Sequence, residues 1–249
     1  MFDHETFPNA PITEALIDIR VTFGSEFKLE ELERLAEQCS DRFPEKETQF
    51  EHQHEVTFQD GGAGTESHTR SRMRGFVLFS EHREKAIQLR RDGFAFSKLK
   101  PYESWQALRD EANEHWKTYV AALQPARVTR LAVRFINRIE IPMGGHVDLE
   151  EYVITGPKLA DGIPQAIAEF FLRIVIPHQE ERNIRATITS RLEKKDGEVL
   201  AYVFDIDAYS SVDLDQNDEE VWNIFERLRD YKNLIFFSST TEKAKDLFR

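Results

Sequence analysis

Five arginines lie in strand-like segments of the second half of the chain, and their side chains could bind an anion. Across residues 131–141 apolar residues alternate with polar ones, which is the period of a strand with one buried face. Guanidinium groups bind phosphate or carboxylate oxygens in a bidentate manner. The predicted ligand-binding residues are Arg130, Arg134, Arg138, Arg185 and Arg191.

Carboxylates occur on the same predicted side of neighbouring strands. Asp205 and Asp207 alternate with apolar residues, as do Asp18 and Arg20 near the start of the chain. If helices cover the apolar face of one antiparallel sheet, these side chains share the opposite face. That face could bind an anionic ligand, a nucleic-acid backbone or an acidic protein. Alternatively, its arginines and carboxylates pair across the strands, and each exposed pair then contributes only about 0–1 kcal/mol.

Other chemistry-bearing residues give weaker signals, and the sequence predicts no catalytic residue, no metal site and no cofactor. His52 and His54 are two residues apart and could share a strand face, but no Cys or carboxylate ligand set accompanies them. Cys39 lies on the apolar stripe of a helix, which favours packing over nucleophilic chemistry. The glycines of residues 61–64 open no helix, so they do not support a phosphate-binding loop.

The first half of the chain predicts a strand, a helix, several strands and a long helix. Residues 17–23 alternate as a strand, and residues 29–43 repeat apolar side chains at helical spacing. Four short antiparallel strands are predicted at residues 48–58, 75–80, 85–91 and 94–99. Apolar residues then recur at helical spacing from Trp105 to Leu123, which predicts the long helix.

The second half predicts a similar order of elements. The strands are predicted at residues 131–141, 172–176, 184–192 and 200–206, the last two forming a hairpin that turns at Asp196 and Gly197. Helical segments are predicted at residues 149–153, at 165–170, from Asp218 to Ile235 and in a last turn before Phe248.

Because the second half repeats the element order of the first, the sequence predicts a duplicated α+β fold. The predicted units are residues 1–125 and 126–249, each with the order β-α-β(3-4)-α, fused into one compact body. An antiparallel sheet would carry long helices on one face, similar to the saddle of TATA-binding-protein-like folds. A closed antiparallel barrel is the alternative, and closure would enclose the arginines in a tunnel.

The composition is that of a globular protein with an acidic balance. The chain has 249 residues, of which 40% are hydrophobic, so it can bury a large core. Its formal net charge of −12 opposes non-specific nucleic-acid binding, which depends on cationic side chains. The single cysteine, the lack of a secretory start and the lack of a long apolar window predict a cytoplasmic protein that does not enter the membrane.

Several short motifs resemble a sporadically distributed prokaryotic family of proteins of about this length. They are Asn9-Ala10-Pro11-Ile12 before the first strand, Asp92-Gly93-Phe94, Tyr102 with Trp105, and Arg134-Phe135-x-Asn137-Arg138-Ile139. The resemblance spans most of the chain and is most specific in the last of these motifs. It implies membership of a family without an assigned activity. Families with such a patchy distribution often accompany mobile or antiviral-defence loci.

The leading functional hypothesis is a non-enzymatic binding or adaptor protein. It would recognise a partner macromolecule through its open sheet face or a sheet edge, within an antiviral-defence or toxin-neutralising module. A protein partner is expected, a homo-oligomer is an option, and a nucleic acid is less favoured. The alternative is a phosphate-ligand enzyme or nucleotide-binding domain that uses the five arginines, with Asp205 and Asp207 holding a divalent ion.

Overall fold

A computed structural model of the chain describes residues 5–24, 27–58, 65–144, 147–195 and 199–249, with the backbone alone for 52–58, 65–70 and 194–195. The histidine pair at positions 52 and 54 therefore has side chains outside the described part of the chain. The predicted turns at residues 61–64 and at Asp196-Gly197 also lie outside it.

The first half contains five strands and two helices. These are β1 (Ile12–Thr22), α1 (Leu29–Gln38), β2 (Glu45–Phe58), β3 (Thr65–Phe79), β4 (Lys85–Arg90), β5 (Gly93–Leu99) and α2 (Trp105–Leu123). Helix α2 begins where the Ser104 hydroxyl accepts a hydrogen bond from the Ala107 amide at 3.1 Å. It ends at Gln124, which adopts a left-handed conformation with φ of 46°.

The second half contains four strands, a 3₁₀ turn and two helices. These are β6 (Arg127–Pro142), a 3₁₀ helix (Leu149–Glu151), β7 (Phe171–Pro177), β8 (Ile184–Lys195), β9 (Val199–Leu214), α3 (Glu220–Ser239) and α4 (Glu242–Asp246). Asp218 accepts a hydrogen bond from the Glu220 amide at 2.9 Å, so it acts at the start of α3 as predicted.

All nine strands of the described chain join one antiparallel sheet in the order β2-β3-β4-β5-β1-β6-β9-β8-β7. The α+β prediction is therefore confirmed. The closed barrel is wrong, because β2 and β7 lie at opposite ends of the sheet and do not pair with each other. The two halves meet where β1 pairs with β6, at the centre of the sheet.

Helices α2 and α3 cover one face of the sheet, and the core lies between them and the strands. On β6, Val133 and Phe135 point to this face and are buried. The Phe94 ring of β5 lies 6.0 Å from the Trp116 ring of α2, and the Tyr119 hydroxyl donates to the Arg90 carbonyl at 3.0 Å. Since alternate residues of a strand point to opposite sides, Arg130, Arg134 and Arg138 of β6 lie on the other, open face.

Gly93 lets two central strands approach closely. Its φ is +153°, and a Cβ atom at this position would lie 2.2 Å from the Ile19 carbonyl oxygen. A side chain cannot be accommodated there without a shift of β1 or β5.

The helix predicted at residues 165–170 is wrong. These residues have no regular structure, and the Gln165 side chain donates to the carbonyls of Ala160 and Ile163 at 3.1 and 2.7 Å. A helix of six residues would form few internal hydrogen bonds, because its first four amide groups have no partner within the helix. The side chain of Gln165 stabilises an irregular loop instead.

Candidate functional site

The five predicted arginines all lie on the open face of the sheet. Arg130, Arg134 and Arg138 follow one side of β6, whereas Arg185 and Arg191 follow the same side of β8. Strand β9 lies between these two strands and places Asp205 and Asp207 on the same face. The prediction that these side chains share a surface is therefore correct in geometry.

Arg134 forms a bidentate ion pair with Asp205. Its Nε and Nη2 atoms donate to the two carboxylate oxygens at 2.9 and 2.6 Å. Asp205 is only 6% exposed, and the hydrogen bonds to it raise the pKa of Arg134. A charge-assisted pair of this geometry neutralises a carboxylate that would otherwise be buried alone.

Arg130 joins a wider network at the centre of the face. It contacts Asp207 at 3.0 Å and Asp18 at 3.4 Å, and Asp18 also binds Arg20 and Arg90. Burial raises the pKa of Asp207, although Arg130 favours its charged form. The network lines a depression of about 390 Å³, but its guanidinium groups are already paired with carboxylates of the same network.

Arg138 and Arg191 both bind Glu193. Four of the five predicted arginines are thus paired with carboxylates of the protein itself. An anionic ligand would have to displace these carboxylates, and a divalent ion at Asp205 and Asp207 would have to displace Arg134 and Arg130. In the central network the arginines and carboxylates therefore pair with each other across the strands, which is the alternative to ligand binding that the sequence left open.

Arg185 is the exception, and it belongs to a different surface at the edge of the sheet. Among the described residues it has neither an ion pair nor a side-chain hydrogen bond, and the same holds for Arg173 on β7. Two large apolar side chains lie on the same side of β7, Phe171 with 69% exposure and Val175 with 44%. We call Phe171, Arg173, Val175 and Arg185 the β7 patch.

Strand β7 ends the sheet, and only β8 pairs with it in the described chain. Alternate residues of an edge strand direct their amide and carbonyl groups away from the sheet, where they can bind a further strand. The opposite edge, β2, begins with Glu45, Lys46 and Glu47, and charges of this kind oppose the addition of a strand. β7 has a single charged residue, Arg173.

Two residues singled out in the sequence have structural roles. Asn137 is buried and donates through Nδ2 to the Phe204 carbonyl at 2.9 Å. Cys39 packs against the hydrophobic core, and burial raises the pKa of its thiol, which opposes nucleophilic reactivity. Among the described side chains, no group of three His, Cys, Asp or Glu residues is placed to hold a metal ion.

Apart from Arg185, the residues of the β7 patch and one buried lysine, Lys232, are not among the site residues that the sequence predicts. The pattern of residues 172–176 predicts a strand, but this nearly continuous apolar run does not indicate which side is exposed. Lys232 follows Leu228 by four residues on the apolar stripe of α3, and a charged residue at such a position is a signal that could have found it.

No family model, curated protein or solved structure matches this chain significantly. The family resemblance of the sequence therefore stays a prediction. No helix in the described part of the chain is long and apolar enough to cross a membrane.

Proposed function

We propose that this chain is a non-enzymatic binding protein that docks an extended, acidic segment of a partner protein along β7. The observation that supports the proposal is the β7 patch, where two exposed apolar side chains and Arg173 lie on an edge strand and Arg185 lies on the neighbouring β8, both arginines without a partner among the described residues. The backbone of β7 would supply hydrogen bonds to the added strand, and the patch would select its side chains.

The order of side chains along β7 suits an alternating peptide. Phe171, Arg173 and Val175 point to the open face in turn, and Arg185 lies opposite Pro177 at the end of the strand. An added strand would place every second side chain on this face. Apolar side chains of the partner would cover Phe171 and Val175, and its carboxylates would bind the two arginines.

Charge favours a different protein over a second copy of this chain. Pairing of two β7 strands would bring Arg173 and Arg185 of both copies into one patch, and like charges in such proximity oppose association. An acidic segment removes this repulsion. The remaining arginines of the face are neutralised by their own carboxylates, so they add little to the attraction.

Quantitative affinity capture with the full chain tests the proposal. A random peptide display library is selected on the wild-type protein and on Arg173→Glu, with Leu234→Ser as the matched control. Leu234 is an apolar side chain with 47% exposure that lies on α3 and is not part of the β7 patch. We expect the wild type and the control to enrich peptides in which acidic and apolar residues alternate, and Arg173→Glu to lose them.

The same proteins are examined by light scattering to measure their mass in solution. Equal enrichment by Arg173→Glu, or enrichment of sequences without acidic residues, would refute the proposal. A wild-type dimer that Phe171→Ser converts to a monomer would assign the patch to self-association instead.

We also infer that residues 1–125 and 126–249 are duplicated units, similar to the TATA-binding-protein-like saddle. What supports this is the order of strands outward from the centre of the sheet, which is β1, β5, β4, β3, β2 in one direction and β6, β9, β8, β7 in the other. In each half the first strand lies innermost and the last strand lies next to it. A partner from an antiviral-defence or toxin-neutralising module would fit this binding role. Identification of the neighbouring genes tests whether the protein belongs to such a module.

A further inference from the structure

A second candidate site lies on the helix side of the sheet, separate from the β7 patch. A cavity of about 640 Å³ opens between the N-terminal segment 5–12, the start of α2, strand β6 and helix α3. Its walls include the aromatic side chains of Tyr102, Trp105, Phe135 and Phe236. A concave space of this size, with aromatic walls and several polar side chains at its surface, is typical of a small-molecule site.

Lys232 lies in this cavity and is only 8% exposed. Its Nζ atom lies 3.9 Å from the centroid of the Phe135 ring, and none of the described carboxylates pairs with it. Arg229, about one turn earlier on α3, is a like charge that also acts on Lys232, and its contact with Asp230 is a single hydrogen bond at 3.5 Å. A buried ammonium without a counterion is costly unless a ligand supplies one.

The carboxylates that line the cavity are paired with cations other than Lys232. Glu226 binds Arg109 at 2.7 Å and the Trp105 indole at 2.9 Å. Glu5 binds Arg249 at 3.0 Å, and Glu103 lies 3.3 Å from Lys98. After this pairing no carboxylate of the described residues is left to neutralise the Lys232 ammonium.

Two amide side chains add hydrogen-bonding capacity beside the lysine. Asn137 uses its Nδ2 atom for the carbonyls of Phe204 and Phe135, so within the described structure its Oδ1 atom has no donor. Asn233 lines the cavity, is nearly buried and has no side-chain hydrogen bond among the described residues. A lysine and two amide side chains therefore line the same aromatic-walled cavity.

We propose that this cavity binds a small organic acid, with its carboxylate on the Lys232 ammonium and its apolar body among Tyr102, Trp105 and Phe236. The carboxylate supplies the missing counterion, and Asn233 can donate a second hydrogen bond to it. Burial, with a smaller contribution from Arg229, lowers the pKa of Lys232 to about 7. Binding of a carboxylate favours the charged amine and therefore raises this pKa again.

Calorimetry with matched probes tests the proposal on the full chain. Benzoate, hydrocinnamate and octanoate are each titrated beside the corresponding neutral carboxamide. We expect at least one acid to bind at least about tenfold more tightly than its amide. Because Lys232 is largely neutral above its lowered pKa, binding at about pH 8 should take up a proton, whereas binding at about pH 6 should not.

Lys232→Met identifies the binding group, and Lys117→Met is the control because Lys117 is exposed on α2. We expect Lys232→Met to weaken acid binding at least about tenfold and to abolish the proton uptake, with Lys117→Met unchanged. The thermal melting curve of each variant shows that it is folded. Arg229→Gln, which keeps the lysine, should weaken the binding of the acid but preserve the proton uptake that accompanies binding.

The proposal is wrong if none of the three acids binds at millimolar concentration, if acid and amide bind equally, or if Lys232→Met retains the affinity. Each of these results leaves the β7 patch untouched, since peptide binding at β7 is measured separately.

Discussion

Replacement of Lys232 by methionine should stabilise the protein, because it removes a buried ammonium group that has no counterion among the described residues. Methionine keeps a similar volume and length, so the packing against Phe135 is largely preserved. Burial lowers the pKa of Lys232 from its ordinary value of 10.5 to about 7. A shift of this size corresponds to about 4–5 kcal/mol of unfavourable free energy in the protonated folded state.

The pH dependence gives the prediction its sign. In the unfolded chain the amine keeps its proton up to its ordinary pKa of 10.5, whereas in the folded protein it releases the proton at about pH 7. The unfolded state therefore binds more protons within this window, and stability rises with pH. Below the window the amine is protonated in both states, so the full cost is present.

Urea denaturation of the wild type and of Lys232→Met measures the difference directly. The variant should exceed the wild type in unfolding free energy by several kcal/mol at about pH 6, and the difference should shrink by about 2–3 kcal/mol by about pH 9. Other titrating groups cancel in this difference, and Lys117→Met should show no trend. A variant that is less stable at every pH, or a gap that does not change with pH, would refute the reasoning.

Three further predictions concern stability. Burial and the nearby Arg42 lower the pKa of His115 from 6.5 to about 4. Because a lowered pKa gives stability that is lost as the pH falls, the unfolding free energy of the wild type should fall by about 2 kcal/mol between about pH 7 and pH 5. The unfolding free energy of His115→Leu, measured by urea titration, should fall less over the same range. Arg134→Ala should cost about 2–3 kcal/mol because Asp205 stays buried, whereas Arg185→Ala should stay within about 0.5 kcal/mol in the same assay. Gly93→Ala should lower the melting temperature sharply, because its Cβ would overlap the backbone.

The faces of the strands could be predicted from the sequence, but the partners across them could not. Alternation places Arg134 on the side of β6 away from the core, and the structure agrees. Its partner Asp205 is 71 residues away in the chain, and their contact depends on β9 lying beside β6. Strand order is set by the packing of the whole sheet, so a local pattern carries no information about which carboxylate neutralises which arginine.

The position of a strand within the sheet could not be predicted from the sequence either. Residues 171–177 are almost all apolar, a pattern that is typical of a strand buried on both faces. In the structure β7 lies at the edge, and Phe171 and Val175 are exposed. The apolar residues on the other side, such as Ile174, pack against the core. An apolar run shows that a strand is present, whereas its neighbours decide whether both faces are covered.

In this protein a cation without a counterion indicates a binding site better than a cluster of arginines does. Arg134 neutralises a buried carboxylate, so its energetic role is complete without a ligand. Lys232 has no such partner within the described chain and lowers the stability of the fold at neutral pH. Sequences usually follow the local rules of folding and violate them at functional sites. A group that costs stability and faces a cavity is therefore a stronger candidate for ligand binding than a group that contributes to stability on an open surface.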